Sequence, residues 1–160
     1  MQVEHVAPIL TSAFEMLESA GASPRRGGLS ALGQMAPVAW ELVGLVTVAG
    51  DLQGAVLCGL SRATAARLRP ALDLGAAADD SQTAAELARR LCDGGLTRLW
   101  DAGVNCTVSA PVSLADCDRL PGQAGEPLIA AIETTFGVLE VGVSLQRSGT
   151  ATVQAREDAA

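Results

Sequence analysis

A chain of 160 residues, about half of them apolar (49%) and with a formal charge of −7, is long enough for one domain around a single core. The acidic balance excludes a nucleic-acid binder, which needs clustered cations to neutralise phosphates. No apolar run reaches the ~18 residues of a membrane helix and no basic segment leads into one, so a cytoplasmic protein without a membrane partner is expected by default.

With two Phe, two Trp and no Tyr, the core must be filled by Ala, Val and Leu, each burying little area. All 11 basic residues are Arg. Residues 3–6 read as a short strand or extended lead-in. Pro8 suits the first position of a helix, where its missing N–H costs nothing. That helix is expected to reach about Ala20, with Ile9, Leu10, Ala13, Phe14 and Leu17 inward and Ser12, Glu15 and Glu18 outward. Residues 22–36 contain Ser-Pro, Arg25-Arg26 and Gly27-Gly28 and read as a loop, with at most a short strand near residues 29–32. They lack the spacing of a phosphate loop.

Residues 38–48 and 54–60 are β-rich and are joined by AGDLQ, in which Gly50-Asp51 signals a hairpin. Ser61 can cap a short helix through Ala65, Ala66 and Leu68, and Pro70 opposes its continuation. Residues 81–102 carry the longest helical pattern. Ala84, Ala88, Leu91, Gly95 and Leu99, widened by Leu87, Cys92 and Leu96, form its apolar side. Gln82, Glu86, Arg89, Arg90, Asp93, Thr97 and Asp101 form its polar side. Asp80 or Ser81 is expected to cap the start, and Gly103 suits the position past the end. Residues 104–108 alternate as a strand ended by Pro111, and 113–125 read as turn-like. Residues 128–135 and 138–145 form a second strand pair turning at Phe136-Gly137. Residues 148–160 are small and polar and read as a flexible tail. Trp40 opens a strand and Trp100 closes the long helix; both read as packing residues, and either could equally lie at an interface. Cys58, Cys92, Cys106 and Cys117 form no CxxC pair and read as reduced structural thiols. A single histidine, His5, supports neither a metal site nor a Ser-His-Asp triad.

Short connections between neighbouring strands predict an α+β fold, an antiparallel or mixed sheet with two long amphipathic helices on one face. Three stretches together resemble the CheX/CheC family of chemotaxis phosphatases, CheX in particular. VEHVAPIL is similar to that family's start. VGLVTVAGDLQG followed by AVLCGLSRATA is similar to its central hairpin, and AAELARRLCDGGLTRLWDAG followed by VNCTVSAPV to its signature helix and strand. Order and spacing agree over residues 2–145. The resemblance implies a single CheC/CheX-like domain over residues 1–147, a CheY-like response-regulator receiver domain as partner, and a homodimer. It implies hydrolysis of the regulator's aspartyl phosphate with no cofactor of the chain's own, the Mg²⁺ being held by the regulator. In that family a Glu-x-x-Asn pair on the long helix acts at the phosphoryl group. The Glu binds a cation on the regulator and the Asn orients a water.

Residues i and i+3 share a helix face, so such a pair can enter one site. Glu86 matches the Glu, but Arg89 stands where the Asn would be, and Ala7 replaces an Asn of the opening helix. Arginine donates five hydrogen bonds and accepts none, so it cannot orient water as an amide does. Three readings stay open. The chain binds a receiver domain with impaired or no catalysis. Alternatively it remains a phosphatase, Glu86 docking the partner and Arg89 clamping the phosphoryl group. In the plainest reading, Glu86, Arg89 and Arg90 only decorate a wet helix face, where Glu86 and Arg90 form a favourable i,i+4 pair.

Overall fold

The computed structural model describes residues 3–31, 40–73, 79–117 and 128–147. Helix α1 (Val3–Ser19) takes in residues 3–6, expected as a strand or extended lead-in, and Pro8 lies inside the helix and not at its first position. The sequence expectation failed because Val6, Ile9, Ala13 and Leu17, spaced by three and four, bury one stripe that begins before the proline. That burial offsets the single backbone hydrogen bond that proline forfeits. Ser12, expected outside, is buried where α1 crosses α3 (Asp80–Asp101), because a side chain on Gly94 would collide with its hydroxyl. Gly95 brings Ile9 equally close. These paired glycines let the two helices pack almost backbone to backbone.

The remaining elements are β1 (Arg25–Ala31), β2 (Trp40–Gly50), β3 (Leu52–Leu60), α2 (Arg62–Ala71), β4 (Cys106–Val108), β5 (Val112–Cys117), β6 (Leu128–Thr134) and β7 (Gly137–Arg147). The strands make one seven-stranded sheet in the order β1-β6-β7-β3-β2-β4, with β5 also on β2. Every pair is antiparallel. Pairing of β2 with β3 runs from Leu42 opposite Leu60 to Val48 opposite Gly54, leaving AGDLQ as the expected connection. Gly137, at φ +132°, closes the tight turn between β6 and β7.

One strand was only half visible in the sequence, as the short strand expected near residues 29–32, and a second was hidden. Arg25-Arg26-Gly27-Gly28 is not a turn but the start of edge strand β1, irregular in register between Arg26 and Leu29. Two arginines and a bulge are common guards on an exposed edge, and they mask the alternation that would reveal a strand. Residues 113–117, expected as part of a turn, belong with Val112 to β5 and pair with the first half of β2. The register slips by one between β4 and β5, and there Ser109 Oγ accepts from Thr47 N at 3.0 Å. Of the remaining expectations, residues 32–36, 118–125 and the tail 148–160 lie outside the described residues.

The helices cover one face of the sheet, with the third helix, α2, joining the two long ones. Leu42, Val46 and Val48 of β2 alternate inward beneath α3, whose Ala84, Leu87, Ala88, Leu91, Cys92, Leu96 and Leu99 are all buried, as the periodicity predicts. Gly44 lies directly under α3; a Cβ there would meet the Ala84 carbonyl oxygen at 2.0 Å. The helix therefore sits as low on the sheet as a backbone can.

Candidate functional site on helix α3

The start of α3 is set by Asp79, not Asp80 or Ser81. Its carboxylate accepts from Gln82 N at 2.8 Å, and Gln82 Oε1 accepts from Asp79 N at 3.3 Å, a reciprocal capping box. One more residue of polar linker was absorbed because Gln82 supplies the second half of the box. The end follows expectation. Gly103 adopts φ +86°, and Val104 N–H reaches back to the Leu99 carbonyl at 2.8 Å. Trp100, expected either to pack or to lie at an interface, is 52% exposed, while its indole N–H donates to the Cys106 carbonyl on strand β4 at 3.2 Å. A Trp at that position keeps one side in water and uses its polar end to cover an edge carbonyl.

Between these ends the polar face carries one ionic cluster. Arg89 Nε donates to Glu86 Oε2 at 2.9 Å, and Arg89 NH2 donates to Glu86 Oε1. Arg89 NH1 donates to Asp93 Oδ2 at 2.8 Å. Arg90 Nε reaches Glu86 Oε1 at 3.3 Å, and Arg90 NH1 donates to the Leu72 carbonyl, the C-cap of α2, at 2.8 Å. Glu86 and Arg89 are thus adjacent on the helix surface, with side chains 29% and 42% exposed. The hydrogen bonds from Arg89 hold the Glu86 carboxyl below the usual carboxylate range, against an opposing effect of partial burial. The same bonds hold the Arg89 guanidinium above its ordinary value. Two carboxylates and two guanidiniums cancel, so the cluster offers neither an open carboxylate nor a bare cation.

Chemically, Arg89 uses three of its five donors on Glu86 and Asp93 and directs the rest outward. Nothing at this position accepts a proton from water while donating to a phosphoryl oxygen. An amide could do so, but the one amide side chain within α3, Gln82, is engaged in the capping box. The sequence has a single asparagine, Asn105, beyond the far end of α3 and about 20 Å along the helix from residue 89. Ala7 is exposed inside α1, where no residue could act as a cap. Sequence reading paired Glu86 with Arg90 and missed Asp93 as a partner of Arg89. Asp93 lies at i+4 from Arg89, and that spacing was the available signal.

Among the described residues, no group of His, Cys, Asp or Glu could hold a metal ion, and no helix is long and apolar enough to cross a membrane. A cavity of about 480 Å³ lined by Glu18, Ser23, Pro24, Arg25, Thr134 and Thr135 contains none of the α3 charges.

No protein-family model and no curated protein sequence matches this chain. Solved structures do. A CheC-like superfamily protein from Shewanella sp. PV-4 superposes with a TM-score of 0.76 at 14% identity, over 91% of this chain and 99% of its own. Chemotaxis protein CheX from Vibrio vulnificus gives 0.75 at 14%, over 89% and 99%. CheX from Borrelia burgdorferi, in a complex with CheY, BeF₃ and Mg²⁺, gives 0.72 at 15%, over 91% and 100%. The fold of this chain is CheC/CheX-like.

Proposed function

We propose that this chain is a CheX-like signalling protein that docks a response-regulator receiver domain and leaves its aspartyl phosphate largely intact. The observation that carries the reading is Arg89. It is held between Glu86 and Asp93, and the resemblance to CheX puts it where that family keeps a water-orienting amide. Positioning the attacking water is the main task left to a phosphatase when the regulator supplies Mg²⁺ and the leaving group is an acyl phosphate. A guanidinium cannot perform it. Docking is supported by the Borrelia burgdorferi neighbour, whose complex with CheY involves a protein matched along nearly its whole length.

In this reading Glu86 exchanges Arg89 for a cation of the receiver on binding. Exposed ion pairs of this kind are worth ~0.2–1 kcal/mol each, so the exchange costs little. The chain needs no cofactor of its own, works in the cytoplasm and pairs as a homodimer. Pairing is favoured by the outer strands β1 and β5, each with one strand neighbour among the described residues.

The test is phosphate loss from a phosphorylated receiver with and without the protein, alongside a direct binding titration. Binding with unchanged decay supports the proposal, and faster decay that disappears in Glu86→Ala overturns it. That second outcome is the active-phosphatase reading. It is favoured by the outward donors of Arg89, which could clamp a phosphoryl oxygen.

A further inference from the structure

Two neighbouring arginines hold the Glu86 carboxylate, and they hold it differently. Arg89 takes both of its oxygens, through Nε at 2.9 Å and through NH2, and its third bond goes to Asp93 at 2.8 Å. Both partners are side chains on the open face of α3, and the Arg89 and Asp93 side chains are 42% and 50% exposed. Arg90 touches only Oε1, through Nε at 3.3 Å, while its NH1 donates to the backbone carbonyl of Leu72 at 2.8 Å. Leu72 is the C-cap of α2, where carbonyls lack partners within the helix and the helix dipole is negative, so a guanidinium is favoured there twice over. The position of α2 is itself fixed. Its Thr64, Ala65 and Leu68 are buried, and its Arg69 Nε donates to the hydroxyl of the buried Thr83 on α3 at 3.1 Å. Arg90 is therefore tied to a backbone point on a second helix, whereas Arg89 is tied only to carboxylates that can turn away.

We infer that Arg90 is a positioning residue for Glu86 and Arg89 its exchangeable counter-ion, so that the two arginines act on receiver docking in opposite directions. The inference rests on the reading of Glu86 as the docking carboxylate. When a cation of the receiver arrives, Arg89 gives up Glu86 and keeps Asp93, so its guanidinium is not left without a partner. Oε2, which has Arg89 as its one partner among the described residues, then turns to the receiver, while Oε1 stays on Arg90. A carboxylate already fixed at one oxygen has less side-chain freedom to lose on docking. Without Arg90, the same carboxylate would follow Arg89 alone and stay closed over it. Without Arg89, it would remain in place with one oxygen open.

The experiment titrates the full chain with a beryllofluoride- and Mg²⁺-activated receiver domain. It compares the parent with Arg89→Ala, Arg90→Ala and Arg90→Lys, each also in a Glu86→Gln background. Arg89→Ala should tighten binding about threefold and Arg90→Ala should weaken it about threefold, the scale of one exposed ion pair. Arg90→Lys keeps the charge but lacks the fork that serves the Glu86 carboxylate and the Leu72 carbonyl together, so it should recover only part of the loss. In the Glu86→Gln background neither alanine change should matter. An Arg90 that merely ties α2 to α3 would weaken binding there as well, and that result overturns the positioning role. In the free protein, the NMR signal of the Glu86 carboxyl carbon gives a second reading. Its titration should move up toward the ordinary carboxylate value further in Arg89→Ala than in Arg90→Ala, and the reverse order overturns the division between the two arginines. Receiver binding that shifts in the same direction in both alanine variants, or in neither, overturns this inference and leaves receiver docking standing. Receiver binding by no variant overturns the docking reading and this inference with it. Circular dichroism checks that Arg90→Ala folds, and Arg90→Lys carries the comparison if it does not.

Discussion

Arg89→Asn is the most informative change. Arg89 makes a two-pronged pair with Glu86 and a single bond to Asp93, all on the open face of α3. Such pairs contribute ~0.3–0.5 kcal/mol each, and Asn is ~0.4 kcal/mol poorer than Arg inside a helix. The variant should lose about 1 kcal/mol, a fall in Tm of roughly 2–4 °C for a domain of this size. Glu86 keeps Arg90 at 3.3 Å, so its carboxylate stays on the same face and becomes more available to a partner. The new amide supplies both an acceptor for water and a donor for a phosphoryl oxygen. Dephosphorylation of a bound receiver should rise at least about tenfold, since orientation of the nucleophile is the missing contribution. The assay loads a receiver domain from a small phosphodonor and follows release of inorganic phosphate with parent, Arg89→Asn and Arg89→Ala. Parent protein that already accelerates release, with the acceleration lost in Arg89→Ala, would falsify the reasoning. No gain in Arg89→Asn, with receiver binding intact, would also contradict it.

Gly44→Val should cost about 3 kcal/mol or more in urea unfolding, because even the first side-chain carbon would meet the Ala84 carbonyl of α3 at 2.0 Å; a loss below 1 kcal/mol would mean that α3 slides freely over β2. Ser61→Ala removes the hydroxyl that accepts from Thr64 N at 3.1 Å and should cost about 1 kcal/mol, measured the same way. Glu86→Gln should destabilise by less than about 1 kcal/mol. Because the folded Glu86 carboxyl is held low, its contribution is present above the ordinary carboxylate value and fades as pH falls through the folded one. The parent and variant should therefore differ at pH 7 and converge once the pH falls below the ordinary carboxylate range, whereas a difference that grew on acidification would contradict the pairing. Cys58, Cys92 and Cys106 are buried, and burial raises the Cys58 thiol and pushes Cys92 up to about 12. A thiol-reactive dye at about pH 8 should modify no more than one of the four cysteines until the chain unfolds.

The long helix was legible residue by residue. Its buried stripe, its stop at Gly103 and the adjacency of Glu86 and Arg89 follow from a period of 3.6, which any stretch of sequence carries within itself. The two hairpins were legible for the same reason, since Gly50-Asp51 and Gly137 mark turns locally. By itself, then, the sequence determined the elements whose periodicity and turn chemistry are complete within a short window. It also determined which residue stands at position 89, because residue identity needs no coordinates. Tertiary structure alone decided the rest. Pairing with β6 and β2 makes strands of Arg25–Ala31 and Val112–Cys117. Packing against α3 carries α1 through Pro8 and draws Ser12 inside over Gly94. Asp93 becomes a second anchor for Arg89, and α2 is laid beside α3, joined to it by Arg69 on Thr83 and by Arg90 on the Leu72 carbonyl. In each case the deciding energy comes from a partner distant in sequence, or from a choice between side-chain orientations that local pattern leaves equal.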